Sequence, residues 1–275
     1  MPDNERLTLE GPCRNNALVM RGKKHRLRIV FKSVWLSAEL VFAAIRYFIT
    51  CGIAPSRCLP ERRAAWLQAS SQRVLRVINT RIHASGNIPQ HGLLVSNHLS
   101  YLDILVIASL TPAAFVSKHE VKAWPVFGWF ARIAGTVFVD RQKRHQTGVV
   151  ASEMESALQH SVVLVLFPEG RNSNGDAVLP FKSSLLEPAV RLRPNLSAAF
   201  ICYELDDGDP ANEVCYWGDM VLVPHMLNLL SKRGVRAFVR FSAHPNSASD
   251  RKHLARELHR KVIVLKSEPL GAANS

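Results

Sequence analysis

Short apolar runs alternate with longer, helix-like segments over most of the chain beyond residue 79. Seven of the short runs predict strands, over residues 80–83, 93–96, 113–116, 136–139, 162–167, 198–203 and 235–241. Five segments with helical spacing predict helices, over residues 101–109, 124–133, 146–159, 183–191 and 249–265. This alternation predicts an α/β domain over residues 79–268, with a mixed, largely parallel central sheet flanked by helices.

The region before the predicted sheet has a different pattern. Residues 30–54 are apolar except for a stripe formed by Lys32, Glu39 and Arg46, each seven residues from the next. Because charges are costly at the centre of a membrane span, a helix lying in the membrane interface is at least as well supported as a full span. An ordinary helix packed on the core is the alternative. With a second helix over residues 61–78, this region predicts membrane-associating helices over residues 27–78.

The two ends of the chain are polar and read as loose segments. Residues 1–26 predict a flexible basic tail, and residues 269–275 predict a frayed end.

The formal net charge of +13 indicates an anionic partner, and a run of cations immediately precedes the apolar segment. Basic residues beside an apolar helix favour an anionic membrane surface, and no nucleic-acid-binding module is recognisable. Five scattered cysteines argue against a disulfide framework and structural zinc, and favour a reducing compartment.

The first candidate site is the segment from Asn97 to Asp103, which follows a strand and opens a helix. Ser100 is a suitable N-cap, and Asp103 three residues later completes a pattern like a capping box. His98 then lies at the carboxyl end of a strand, where α/β sheets bind ligands. If Asp103 accepts a hydrogen bond from one ring nitrogen, the other can act as a base toward an alcohol. The alternative is that Asp103 only caps the helix.

The second candidate site runs from Phe167 to Ser173, after another apolar strand. Glu169 projects from the strand end, and Gly170 permits a tight turn. Arg171 and Ser173 belong to a polar loop that could hold a phosphate through guanidinium and backbone N–H donors. An ordinary surface turn is the alternative, and a calcium loop is disfavoured because the late bidentate Glu is missing.

Together these segments resemble the glycerolipid acyltransferase family, typified by bacterial 1-acylglycerol-3-phosphate acyltransferases. The matching blocks are Asn97-His98 with Asp103, the segment 135–141 ending in Arg141, and Phe-Pro-Glu-Gly at residues 167–170. A weaker fourth block is an apolar strand ending in Pro224. One departure is that Arg171 directly follows Gly170, where the family often has Thr-Arg-Ser, which leaves the acceptor open.

The resemblance implies membrane association through N-terminal helices and an acyl thioester donor, either acyl carrier protein or coenzyme A. It implies no metal, no cofactor and no acyl-enzyme intermediate. It assigns His98 as general base and Asp103 as the group that orients it. We expect the acceptor headgroup to be bound by a set of residues that comprises Asn97, Arg141, Glu169, Gly170, Arg171, Ser173 and Lys182.

The expected reaction is acyl transfer to the free hydroxyl of a lysolipid, with 1-acylglycerol-3-phosphate giving phosphatidic acid as the first expectation. Another lysophospholipid or a lyso-aminolipid is the alternative acceptor. A non-catalytic membrane-binding protein and a hydrolase that uses water are the other hypotheses. We expect the enzyme to be membrane-associated, at the cytoplasmic face of the inner membrane.

Overall fold

A seven-stranded sheet forms the centre of the protein. The computed structural model describes residues 12–52, 55–139, 147–245, 248 and 250–269, and for residues 12–24, 57 and 147–151 it describes only the backbone. The strands are β1 (Thr80–Ser85), β2 (Gly92–Ser96), β3 (Ala113–Lys118), β4 (Val137–Val139), β5 (Val163–Leu166), β6 (Leu196–Leu205) and β7 (Val235–His244). All seven predicted strands are confirmed.

The strands lie in the order β1-β7-β6-β2-β5-β3-β4. Neighbours pair in parallel except β6 and β7, which are antiparallel. Every residue of β2 and β5 is buried. Both strands lie inside a sheet that is covered on its two faces, which explains their uninterrupted apolar sequence. The predicted mixed, largely parallel sheet is confirmed.

Nine α-helices are described. They are α1 (Pro12–Cys51), α2 (Leu59–Ile78), α3 (Leu102–Leu110), α4 (Phe127–Ile133), α5 (Thr147–Leu158), α6 (Glu187–Leu192), α7 (Pro210–Glu213), α8 (Leu222–Ser231) and α9 (Arg251–Ser267). Three short 3-10 helices cover Ser56–Cys58, His119–Ala123 and Ser183–Leu186. One face of the sheet packs against α1, α2, α3 and α8, and the other packs against α5, α6 and α9.

The stripe of charges on α1 faces the protein rather than solvent. Lys32 is buried, and its ammonium group donates to the carbonyls of Ile78 and Lys232, each at 2.9 Å. Glu39 is also buried and forms an ion pair with Arg73 at 2.6 Å. Leu36 and Ala43 also face the protein, but most of the large apolar residues of α1 are exposed. The exposed ones are Leu27, Val30, Phe31, Val34, Trp35, Val41, Phe42, Ile45, Phe48 and Ile49. By length and composition, residues 25–51 could cross a membrane.

Three local predictions are wrong. Residues 12–26 belong to α1 instead of a loose tail, because Gly22 alone does not interrupt a long helix. The rest of the predicted tail, residues 1–11, and residues 270–275 lie outside the described residues. Residues 222–224 open α8 instead of ending a strand, because proline is tolerated in the first turn of a helix. Ser100 is not the N-cap of α3, since Tyr101 occupies that position and the Ser100 hydroxyl has no hydrogen-bond partner among the described residues.

Candidate active site

The Asp103 carboxylate is completely buried and accepts four hydrogen bonds. Its Oδ2 accepts from the His98 ring at 2.7 Å, from the Leu99 N–H at 2.7 Å and from the Ser100 N–H at 3.0 Å. Its Oδ1 accepts from the Tyr203 hydroxyl at 2.6 Å. A protonated carboxyl group would have fewer acceptor positions, because one oxygen would carry the proton. Four donors around Asp103 therefore require the ionised carboxylate. Asp103 is thus a fixed negative charge under His98.

This charge fixes the His98 ring in one orientation. Because the carboxylate only accepts, Nδ1 carries the ring proton and donates it. The ring is also stacked on Phe167, with centroids 4.0 Å apart and planes within 10°. The second ring nitrogen, Nε2, has no hydrogen-bond partner in the part of the chain that the structure describes. A neutral histidine held in this tautomer has a free lone pair on Nε2 and can act as a base.

His98 opens onto a cavity of about 720 Å³ at the carboxyl ends of the parallel strands. Residues from the ends of β3, β4 and β5 line it, as expected for a ligand site in an α/β sheet. Most of the lining is apolar or aromatic, including Ile104, Val116, Trp124, Leu166, Leu185 and Trp217. A cavity of this kind can hold an acyl chain beside the histidine.

Glu169 lies under the second loop and faces inward. Its side chain is 2% exposed, and its two oxygens accept from the N–H groups of His98 at 3.3 Å and Leu179 at 3.0 Å. Burial raises the pKa of Glu169 to about 7, and the Asp103 charge acts in the same direction, although both backbone donors oppose the shift. Glu169 therefore joins the two loops that form the site.

The remaining residues of this loop face the cavity. Gly170 adopts a φ of 72°, a left-handed conformation that favours glycine, and turns the chain after the strand. Gly170, Arg171 and Ser173 all line the cavity, and Arg171 is exposed. The Ser173 N–H donates to the His98 carbonyl at 3.0 Å, whereas its hydroxyl has no partner among the described residues. The loop thus places a cation and a hydroxyl beside His98.

Two residues expected in the headgroup site, Asn97 and Lys182, lie elsewhere. Asn97 is buried, and its side-chain amide pairs with both backbone groups of Ile201, at 2.9 and 2.8 Å. It extends the contact between β2 and β6 and does not line the cavity. Lys182 is exposed on the outer surface and is not among the residues that line the cavity. Arg141 lies outside the described residues.

Comparison with known proteins identifies the family. Residues 79–224 match the family model described as Acyltransferase, which covers more than half of the chain. The chain belongs to the acyltransferase family. Lyso-ornithine lipid O-acyltransferase of Brucella abortus (strain 2308) is 35% identical to this acyltransferase over 215 residues, covering 72% of this chain and 80% of the relative.

Two further comparisons agree with this assignment. The 1-acyl-sn-glycerol-3-phosphate acyltransferase of Neisseria meningitidis serogroup B (strain ATCC BAA-335 / MC58) is 32% identical over 152 residues, covering 54% of this chain and 60% of that one. The crystal structure of the 1-acyl-sn-glycerophosphate (LPA) acyltransferase PlsC from Thermotoga maritima superposes with a TM-score of 0.66 at 20% identity, covering 91% and 99% of the two chains. That last likeness shows that the acyltransferases share a fold.

The structure of this acyltransferase adds residues that the sequence did not indicate. Tyr203, at the carboxyl end of β6, donates to Asp103 from 100 positions away in the chain. Burial and the Asp103 charge raise the pKa of Tyr203 well above its ordinary value, so the hydroxyl keeps its proton and remains a donor. Lys118, at the end of β3, adds a second cation to the cavity lining. The available signal was that Tyr203 ends a predicted strand and Lys118 lies two positions beyond another.

The described part of the acyltransferase contains no group of three or more His, Cys, Asp or Glu side chains placed to hold a metal ion. The Asp103 carboxylate is instead satisfied by the His98 ring, by two backbone N–H groups and by Tyr203. The arrangement can orient a base and bind an anionic or zwitterionic headgroup.

Proposed function

We propose that this acyltransferase moves a fatty acyl group from a thioester to the free hydroxyl of a lysolipid, with His98 as the general base. The observation that carries the proposal is the His98 ring, fixed by Asp103 at 2.7 Å and facing the cavity. An alcohol is a poor nucleophile until its proton is leaving, and Nε2 is the group placed to accept that proton.

The proposed reaction proceeds by direct attack. As the hydroxyl oxygen forms a bond to the thioester carbonyl carbon, its proton moves to Nε2 of His98. The carbon–sulfur bond then breaks, and the proton passes from His98 to the departing thiolate. During this step the ring is an imidazolium, and the buried Asp103 charge stabilises it, as in other carboxylate–histidine pairs. Asp103 acts as a positioning residue, since it touches His98 and not the reactants.

We propose a lyso-aminolipid such as lyso-ornithine lipid as the acceptor. The similarity to the Brucella abortus enzyme extends over 215 residues, and the similarity to the Neisseria meningitidis enzyme over 152. A zwitterionic head carries a carboxylate and an ammonium group. Arg171 offers a fork of donors for the carboxylate, and the side-chain carbonyl of Asn172 offers an acceptor for the ammonium group. The second candidate is 1-acylglycerol-3-phosphate, supported by the Neisseria relative.

We further propose that α1 places the enzyme on an anionic membrane, at the cytoplasmic face. The exposed apolar face of α1 continues over Trp129, whose ring lies 6.5 Å from that of Phe48. An outward apolar face of this extent favours burial in lipid. Arg28 and Lys32 hold the opposite face of the helix on the catalytic domain through three carbonyl contacts. The cavity is then held next to a surface that supplies the lysolipid.

The test is acyl transfer by the purified full chain in vesicles. Labelled acyl thioester is supplied with lyso-ornithine lipid, with 1-acylglycerol-3-phosphate, or with 1-acylglycerophosphoethanolamine, and the products are separated. We expect a diacyl lipid, with kcat/KM for lyso-ornithine lipid at least about tenfold above the others. Higher kcat/KM for 1-acylglycerol-3-phosphate would overturn the choice of acceptor. Release of free fatty acid alone would indicate a hydrolase, and no product with any acceptor would indicate a non-catalytic membrane protein.

A further inference from the structure

We propose that the basic face of α9 binds an acidic carrier protein that delivers the acyl thioester. This proposal rests on the proposed function, because it assumes a thioester donor. The basic face consists of Lys252, Arg256 and Arg260, which lie four residues apart and are all exposed. They form one stripe about 12 Å long on the helix.

The cations of the basic face are available to a partner. Lys252, Arg256 and Arg260 take part in no ion pair within the described part of the chain. The acids nearby are already engaged: Asp250 caps α9 through two backbone N–H groups, and Glu187 pairs with Arg251 at 3.2 Å. The Asp250 carboxylate lies within electrostatic reach of Arg256, but three exposed cations in one row still carry a net positive charge that favours an anionic surface.

The basic face adjoins a groove that shares a wall with the catalytic cavity. Lys252, Arg256 and His259 line this groove of about 340 Å³ on one side, and Pro180, Phe181 and Ser183 line it on the other. Leu179 and Leu185, at the two ends of the same segment, line the catalytic cavity. A flexible arm reaching over this segment would carry a thioester from the groove to His98.

Two side chains of α9 also hold the rim of the catalytic cavity. The His259 ring donates to the Val178 carbonyl at 3.1 Å. The Lys266 ammonium group donates to the Gly175 carbonyl at 2.9 Å and also contacts the Asp176 carbonyl. A partner seated on α9 would therefore lie against the element that supports the loop after Gly170.

A membrane is a less suitable partner for this face. The α9 helix packs on one face of the sheet, whereas α1, with its exposed apolar residues, packs on the other. A membrane bound by α1 would leave α9 directed toward the aqueous side. The length of the stripe also exceeds what a single phosphate needs, and it suits the acidic surface of a protein. The acceptor and the donor would thus reach the cavity from opposite sides.

The test measures acyl transfer by the full chain in vesicles, for the wild type and for Arg256→Glu. Each protein is assayed with two donors, palmitoyl-loaded bacterial acyl carrier protein and palmitoyl coenzyme A. We expect KM for the carrier protein to rise by about fivefold or more, with KM for the coenzyme A donor changed less than about twofold. Lys252→Glu should act in the same way. Arg81→Glu, which makes the same charge change at an exposed site on edge strand β1, should leave both values near wild type.

Binding without turnover separates this proposal from the proposed function. Fluorescently labelled carrier protein is titrated against vesicles containing the His98→Ala variant, and affinity should fall when Arg256→Glu is added and when salt is raised. Binding of the carrier protein without acyl transfer by the wild type would contradict the proposed function alone. Equal effects of Arg256→Glu on both donors, no measurable carrier binding, or weaker binding to anionic vesicles would overturn the docking proposal.

Discussion

The loops after β2 and β5 lie side by side at the same edge of the sheet, yet they use their polar residues in opposite ways. After β2, the polar atoms of Asn97 and Asp103 all bind the protein itself, and the His98 ring is the polar group that reaches the cavity. After β5, only Glu169 is directed inward, and the polar residues that follow it face the cavity.

This difference separates chemistry from recognition. A base must be held in one tautomer and one orientation, which requires a rigid and completely hydrogen-bonded surrounding. A headgroup site must leave donors and acceptors open to the ligand. We therefore expect substitutions in the first loop to act mainly on kcat, and cavity-facing substitutions in the second to act mainly on the KM of the acceptor.

Among the substitutions that test the difference between the two loops, Asp103→Asn should lower kcat the most. The amide offers one acceptor oxygen where the carboxylate serves four donors, so the His98 ring loses its fixed tautomer and the imidazolium loses its counter-charge. We expect kcat to fall by about 10² to 10⁴, measured as diacyl lipid formed per enzyme. Tyr203→Phe, which removes one donor and keeps the charge, is the milder control. Equal losses for the two variants would contradict a role for the charge.

Glu169→Gln should change the pH dependence of stability. Burial raises the pKa of Glu169 to about 7 from 4.5, so the folded protein binds this proton more tightly than the unfolded chain. The wild type should therefore lose ~3 kcal/mol of unfolding free energy from this group as pH rises through that window. Glutamine does not titrate, so the unfolding free energy of the variant should fall less than that of the wild type over the same pH range. Thermal unfolding of both proteins between about pH 5 and pH 8 measures this difference. The same pH slope in both proteins would refute a buried, titrating Glu169.

Arg171→Ala should raise the acceptor KM by about tenfold and change kcat much less, because a headgroup contact acts largely in ground-state binding. The matched control is Lys182→Ala, which removes a cation from the outer surface beyond the cavity lining. Steady-state kinetics with varied lysolipid distinguish the two. A similar KM change in both variants would indicate a general charge effect.

Arg141→Ala is expected to raise the acceptor KM less than Arg171→Ala does. The motif at residues 135–141 predicts that Arg141 contacts the headgroup. The variant should raise the acceptor KM more than it lowers kcat, in the same assay. An unchanged KM would remove Arg141 from this role.

The sheet was predictable because most of its strands are short apolar runs bounded by polar or turn residues. The His98–Asp103 contact was predictable because both residues lie within seven positions of the end of β2. Tyr203 was not, because its contact with Asp103 depends on β6 lying beside β2, an order that no local pattern encodes. The start of α8 was missed since Pro224 suits both a strand end and a first helical turn.

The sequence also did not predict that the side chains of Asn97 and Glu169 are directed into the protein. Both belong to motifs that carry function, and polar residues in such motifs predict contact with substrate. The structure shows instead that each satisfies backbone groups of a neighbouring segment, which only the packed arrangement reveals. Similarly, the helical stripe on α1 was predicted, but its inward direction depends on the carbonyls of Ile78 and Lys232.

The central claim is that the His98 ring removes the proton of the acceptor hydroxyl. Its most direct test is the turnover of His98→Ala in vesicles, compared with His83→Ala, which removes an exposed ring from edge strand β1. We predict that His98→Ala loses about 10² to 10⁴ of the rate while it remains folded and membrane-bound, and that His83→Ala retains wild-type turnover. Retention of more than about a tenth of the wild-type rate by His98→Ala would contradict the mechanism.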